Sequence, residues 1–202
     1  SSLHTVGQVP FFEKQFTSPG VDICFSVCQL PDSSVYLFGY AENGTQGSYD
    51  MALTKVTARG DFCWTRYYGT TQLDVGTFMN VADGNNLILL GVTQSTVTSQ
   101  GEDILLVKVD SSGNEIWRRV IGGPGNENCR YVEQTADGGY IFCGYCPDSN
   151  SSSDSWIVKT DALGNPQWAN NFGGPSNDVA ARVVATSANS WAVTCDTKIL
   201  GN

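Results

Sequence analysis

Short apolar runs bounded by turn-forming residues dominate the chain. Leu87 to Leu90, Ile104 to Val107, Tyr140 to Cys143 and Ile157 to Val158 are set off by Asp-Gly, Ser-Gly, Gly-Asn or Gly-Gly pairs. Such runs predict β-strands joined by turns, and helical periodicity is scarce. Ala136-Asp137-Gly138-Gly139 and Ala82-Asp83-Gly84 suit tight hairpins, as do Asp110-Ser111-Ser112-Gly113 and Asp161-Ala162-Leu163-Gly164. In these turns Gly takes the positive φ that other residues resist.

The strands recur with a long period. Trp64, Trp117 and Trp168 are 53 and 51 residues apart; Gly60, Gly113 and Gly164 precede them by four, and Gly69, Gly122 and Gly173 follow by five. Lys55, Lys108 and Lys159 each end an apolar run nine residues before a Trp, and Gly39, Gly91 and Gly144 keep step further on. The 202 residues hold nearly four such periods, leaving no room for a second domain. The third repeat shows four strand-like runs most clearly: Arg130 to Gln134, Tyr140 to Tyr145, Trp156 to Thr160 and Gln167 to Asn171. Four antiparallel strands per unit is the pattern of a propeller blade. The expected fold is all-β: a single four-bladed β-propeller over residues 1–202, with blades at 20–69, 70–122, 123–173, and 174–202 plus 1–16.

The ends of the chain fit closure of the ring. Phe11 follows Gly7 by the same four residues that separate Gly from Trp elsewhere, so Gly7 to Phe16 reads as an outer strand without its blade. Ala181 to Ala185 and Trp191 to Thr194 supply first and second strands of a blade that lacks its outer strand. The N-terminal strand would fill that place and remove two exposed edges. The third strand would come from Lys198 to Leu200 or Leu3 to Val6.

Gly164-Asn-Pro-Gln-Trp168, Phe172-Gly-Gly-Pro-Ser-Asn-Asp178 and Asp137-Gly-Gly-Tyr-Ile-Phe-Cys-Gly144 resemble the bacterial beta-propeller repeat family over nearly the whole chain. Blade one departs at Arg66-Tyr-Tyr-Gly69, which lacks a second Gly, and blade four at Ser187-Ala-Asn-Ser190. The resemblance implies an extracellular scaffold or binding surface and carries no catalytic motif.

Composition narrows the partners. With 20 Asp+Glu against 11 Lys+Arg the net charge is −9, which opposes nucleic acid and anionic membrane. No apolar run is long enough to insert into a membrane, and Ser1 to Thr5, without initiator Met or signal pattern, reads as a processed or trimmed start. The single histidine, His4, leaves little for triads or His-rich zinc sites, and no phosphate-binding Gly loop is complete. Seven cysteines, Cys24, Cys28, Cys63, Cys129, Cys143, Cys146 and Cys195, read as structural thiols or disulfides, with at least one left over. Asn43-Gly-Thr45 and Asn150-Ser-Ser152 are sequons in equivalent loops, and with the cysteines they favour an extracellular, secreted glycoprotein.

Two sets of residues are candidates for binding. Tyr40 and Tyr145 follow the Gly that ends each second strand and lie toward the long loops, whereas Trp64, Trp117, Trp156, Trp168 and Trp191 are expected to pack within or between sheets. Asp22, Asp74, Glu127 and Asp178 recur at spacings of 52, 53 and 51, each just before a first strand. First strands line a propeller's channel, so four carboxylates would crowd its mouth, where calcium could compensate them. The alternative is that each caps its own turn or pairs with Lys108 or Lys159. The favoured function is non-enzymatic binding of a glycan or glycoprotein on the long-loop face, with no required cofactor beyond a possible central calcium. A protein-interaction scaffold and a carboxylate-dependent glycosidase are the other readings, and oligomeric state is left open.

Overall fold

The computed structural model describes residues 22–42, 49–94, 101–147, 152–187 and 190–197. Their apolar runs form antiparallel sheets in which sequence neighbours are also spatial neighbours. The first sheet is β1 (Asp22–Gln29), β2 (Val35–Glu42), β3 (Tyr49–Val56) and β4 (Phe62–Tyr68); the second is β5 (Asp74–Val81), β6 (Leu87–Thr93), β7 (Asp103–Val109) and β8 (Glu115–Ile121). The third is β9 (Asn128–Gln134), β10 (Tyr140–Pro147), β11 (Ser153–Thr160) and β12 (Pro166–Phe172), and the fourth pairs β13 (Asp178–Ser187) with β14 (Ser190–Thr197). The protein is all-β, built from repeated four-stranded units, and the four runs expected in the third repeat coincide with β9 to β12.

Successive sheets pack on one another: β5 lies against β1, β2 and β3, β9 against β5, β6 and β7, and β13 against β9, β10 and β11. Each interface has its own apolar core. Tyr36, Phe38, Met51 and Leu53 meet Leu87, Leu89 and Leu105 between the first two sheets; Ile88, Leu90 and Leu106 meet Tyr140, Phe142 and Val158 between the next two. A strand covered on both faces needs apolar residues at every position, which is why β6 and β7 are buried throughout rather than alternating. The fourth strands are much more open.

A β-bulge falls at the same place in every first strand, at Phe25, Thr77, Arg130 and Ala181. It explains the recurrent Gly of the second strands. A Cβ on Gly39 would strike the main chain of Ile23, and one on Gly144 that of Asn128.

The joints between sheets repeat as well. Trp64 and Arg66 lie against Gly113 of the next sheet, and Trp117 and Arg119 against Gly164. Both glycines have φ of +78°, and any Cβ would collide with the indole. Each guanidinium sits over its Trp, at 5.5 and 5.8 Å from the ring centroid. Trp117 meets Tyr140 edge-on at 5.6 Å and Trp168 meets Trp191 at 5.3 Å. The five tryptophans therefore pack in and between sheets as expected, but all are half-buried. Three of them stand on outer strands, which leaves one edge in solvent.

The expectation of disulfides is corrected. None of the seven cysteines is bridged. Cys129 and Cys143 lie within apolar cores, and burial pushes both thiols up to about 12. Gly7 to Phe16, His4, Lys198 to Leu200 and both sequon asparagines lie outside the described residues.

Candidate functional site

The strand registers collect carboxylates at one end of every sheet. Asp22 is level with Ala41 and Asp50, Asp74 with Thr93 and Asp103, and Asp178 with Thr197. In the third sheet Asp154 pairs with Cys146, and Glu127 immediately precedes β9 beside Asn128. Acids thus stand where the first and third strands begin. Of the four sequence-derived acids, Asp74, Glu127 and Asp178 are buried and Asp22 is exposed.

The packing of one sheet on the next brings these acids together in pairs. Asp50 and Asp74 flank Gly69, Asp103 and Glu127 flank Gly122, and Asp154 and Asp178 flank Gly173. The position a Cβ would take on Gly122 is 2.8 Å from Glu127 Oε2 and nearer still to Asp103 Oδ1. On Gly173 it would be 2.8 Å from Asp178 Oδ2, and on Gly69 2.6 Å from Asp74 Oδ2, with Asp154 and Asp50 closer in each case. The Gly five residues after each Trp is therefore required because carboxylate oxygens occupy the space of a side chain. Asp50, Asp103 and Asp154 were not among the acids singled out from sequence, although each opens the apolar run that ends in Lys55, Lys108 or Lys159.

The three pairs are compensated differently. Asp74 Oδ2 accepts from Thr70 N at 2.5 Å and Thr70 Oγ1 at 3.0 Å, and Arg118, which donates to the Gly69 carbonyl at 2.7 Å, feels the Asp74 charge. Asp178 Oδ2 accepts from Gly174 N at 2.6 Å; this bond and the Thr197 hydroxyl hold its carboxyl below the usual range, the hydroxyl more strongly. Asn171 donates to Asp154 at 3.3 Å. At the middle pair, burial pushes Glu127 up and the Asp103 charge adds to it, against opposing main-chain bonds from Gly123 and from Glu127 itself. Burial and the Asp74 charge raise Asp50 in the same way. Asp74 Oδ1 and Glu127 Oε2 are buried without a hydrogen-bond partner among the described residues.

The lysines that might have neutralised this row lie at the other end. Lys108 Nζ bonds Asp83 at 2.5 Å and Lys159 Nζ bonds Asp137 at 2.8 Å, both in the hairpins between first and second strands. Capping is seen, through Thr70 and Gly174; pairing with Lys108 or Lys159 is not.

Main-chain geometry locks the row in place. Glu127 N donates to Glu102 O at 2.8 Å, and Glu102 N donates to Asn126 Oδ1 at 3.0 Å; Ser153 N donates to Asn177 Oδ1 at 3.1 Å in the next repeat. The Asn of each Asn-acid dipeptide thus fixes the entry to the third strand. Tyr40 and Tyr145 are half-buried one register step from the acids, opposite Ile23 and Asn128. Tyr40 contacts Phe25 at 5.9 Å and Tyr49 at 5.3 Å, an aromatic group of which Phe25 is 58% exposed. Tyr145 has no such ring contact among the described residues. Sequence reasoning missed Phe25 and Tyr49, which local spacing does not connect to Tyr40.

Among the described residues no three His, Cys, Asp or Glu side chains are grouped to hold a metal ion, and no helix is long and apolar enough to cross a membrane. No family model matches the chain. An alignment 92 positions long, covering 39% of this chain, is 28% identical to "Regulatory protein FlaEY" of Caulobacter vibrioides. The match covers 10% of that protein.

Proposed function

We propose that the chain is a single four-bladed β-propeller, closed by its N-terminal strand, that acts outside the cell as a non-enzymatic carbohydrate-binding module. Ring closure is supported by where apolar surface remains. In β1, Ile23 and Val27 are 37 and 64% exposed, and β14 is largely open. These first and last sheets are the two that a ring would bring together. The repeated Trp-on-Gly joint supports it too, since the Gly7–Phe11 spacing would offer the same joint to both.

The observation that carries the carbohydrate reading is the Phe25, Tyr40 and Tyr49 group set beside the exposed Asp22. Aromatic faces cover the apolar faces of sugars, and carboxylates accept from their hydroxyls. The glycosidase reading is weaker, because Asp50, Asp74, Asp103, Glu127 and Asp178 are buried, whereas hydrolysis needs two carboxylates that reach the substrate. A glycan array with a parallel hydrolysis assay tests the proposal. Binding that is lost in Tyr40→Ala, without hydrolysis, is the expected result; turnover of any bound glycan or wild-type binding by Tyr40→Ala would overturn it.

A further inference from the structure

The geometry points to the aromatic group of the first sheet as a site for a protonated amino sugar, with Phe25, Tyr40 and Tyr49 receiving the sugar ring and Glu42 its ammonium. The inference rests on the carbohydrate reading and names the class of sugar that the same site takes.

Three observations carry it. The first is the group itself. The Tyr40 and Tyr49 rings stand at 76° with centroids 5.3 Å apart, and Phe25 is tilted at 44° to Tyr40 at 5.9 Å, so ring faces and edges are presented in more than one direction. Phe25 is exposed and both tyrosines are half-buried, which leaves the group within reach of a ligand.

The second is the charge around it. Side chains alternate along a strand, so Glu42 shares the Tyr40 face of β2, and its register partner on β3 is Tyr49. Residues 22–54 carry Asp22, Asp32, Glu42 and Asp50 and neither Lys nor Arg. The next basic residue, Lys55, lies at the far end of β3, where its Nζ is 3.4 Å from the Ser111 carbonyl and 5.2 Å from the Tyr36 ring centroid. An ammonium is drawn both to ring faces and to a carboxylate, whereas a neutral sugar gains nothing from the charge and an acidic one is repelled.

The third is that the repeat does not require these rings. Register places Val92, Thr77 and Glu102 of the second repeat where the first has Tyr40, Phe25 and Tyr49, and Tyr145, Arg130 and Ser153 of the third. Those sheets form with one such ring or none, so blade packing does not account for three. Arg130 would repel a cation, which confines the site to the first repeat.

The test is calorimetric titration of the full chain at pH 6 with three probes: a glucosamine tetramer, an N-acetylglucosamine tetramer, and tetralysine, which matches the first in net charge without a sugar. The glucosamine tetramer should bind at one site, about tenfold tighter than either of the others. Phe25→Ala and Tyr49→Ala should each weaken it about tenfold, and Glu42→Gln roughly threefold. Equal or tighter binding of the acetylated tetramer overturns the inference and leaves the carbohydrate reading standing. A glucosamine tetramer that does not bind also overturns it, and the glycan array then judges the carbohydrate reading separately. Tetralysine bound as tightly, or tetramer binding undiminished in Glu42→Gln, would show attraction to the net charge of −9 alone and overturn it as well. If an aromatic variant fails to fold, Glu42→Gln, which keeps the side chain's size, still decides.

Discussion

At the hairpin end of the second and third sheets, Lys108 and Lys159 are buried against Asp83 and Asp137; at the opposite end Asp103 and Glu127 are buried against each other. The first arrangement is self-sufficient. Lys159 also donates to the Thr160 carbonyl at 2.7 Å and to Gln167 at 3.2 Å, so its ammonium is fully engaged, and it holds Asp137 down to about 2. The second raises Glu127 and leaves one of its oxygens without a donor. One repeat unit thus carries a closed electrostatic end and an open one. The closed end holds neighbouring sheets together, and the open end keeps Glu127 Oε2 buried without a donor among the described residues.

The largest effect should come from breaking the closed end. Trp117→Ala removes an indole packed on Gly164, Tyr140 and Arg119. Because that indole is half-buried, the cost should be about 2–4 kcal/mol, below that of a fully buried Trp, as measured by chemical denaturation. A loss under 1 kcal/mol would mean that the joint is decorative. Asp137→Asn should cost less, about 1 kcal/mol, since water screens the exposed carboxylate although the Lys159 charge stays buried.

Acidification separates the two ends by sign. Asp137 is lowered from 3.8 to about 2, so its contribution is present above pH 4 and lost as pH falls toward 2. Glu127 and Asp50 are raised, so their cost is absent at low pH and grows as pH rises through their folded values. On acidification from neutral pH the melting temperature should first rise, as Glu127 and Asp50 take up protons, and then fall below about pH 4 as Asp137 is protonated. A monotonic fall from neutral pH would show that the acid pairs are already neutralised. The smallest effect on stability is expected for Tyr40→Ala, under about 1 kcal/mol for a half-buried ring, with glycan binding the property that changes.

Much of this architecture was legible in the sequence because its determinants are local. Gly113 and Gly164 mark turns whose Asp110 and Asp161 side chains accept from Ser112 N and Leu163 N, and strands β9 to β12 begin and end within a few residues of their apolar runs. The first-strand acids were visible through their period. Their partners were not, because Asp50 meets Asp74 and Asp103 meets Glu127 only when one sheet packs on the next, a relation between residues 24 apart on different sheets. The recurrent Gly69, Gly122 and Gly173 were the available signal: a glycine outside any tight turn marks a close approach. The bulges at Phe25 and Thr77 were likewise invisible, since a bulge is defined by the partner strand.

Thermal melting of Asp137→Asn and Glu127→Gln beside the wild type at pH 7.5 tests the contrast between the two ends most directly. The account predicts a lower melting temperature for Asp137→Asn, which loses the Lys159 partner, and one no lower than the wild type for Glu127→Gln, whose buried charge is removed. A Glu127→Gln variant that melts below Asp137→Asn would contradict it.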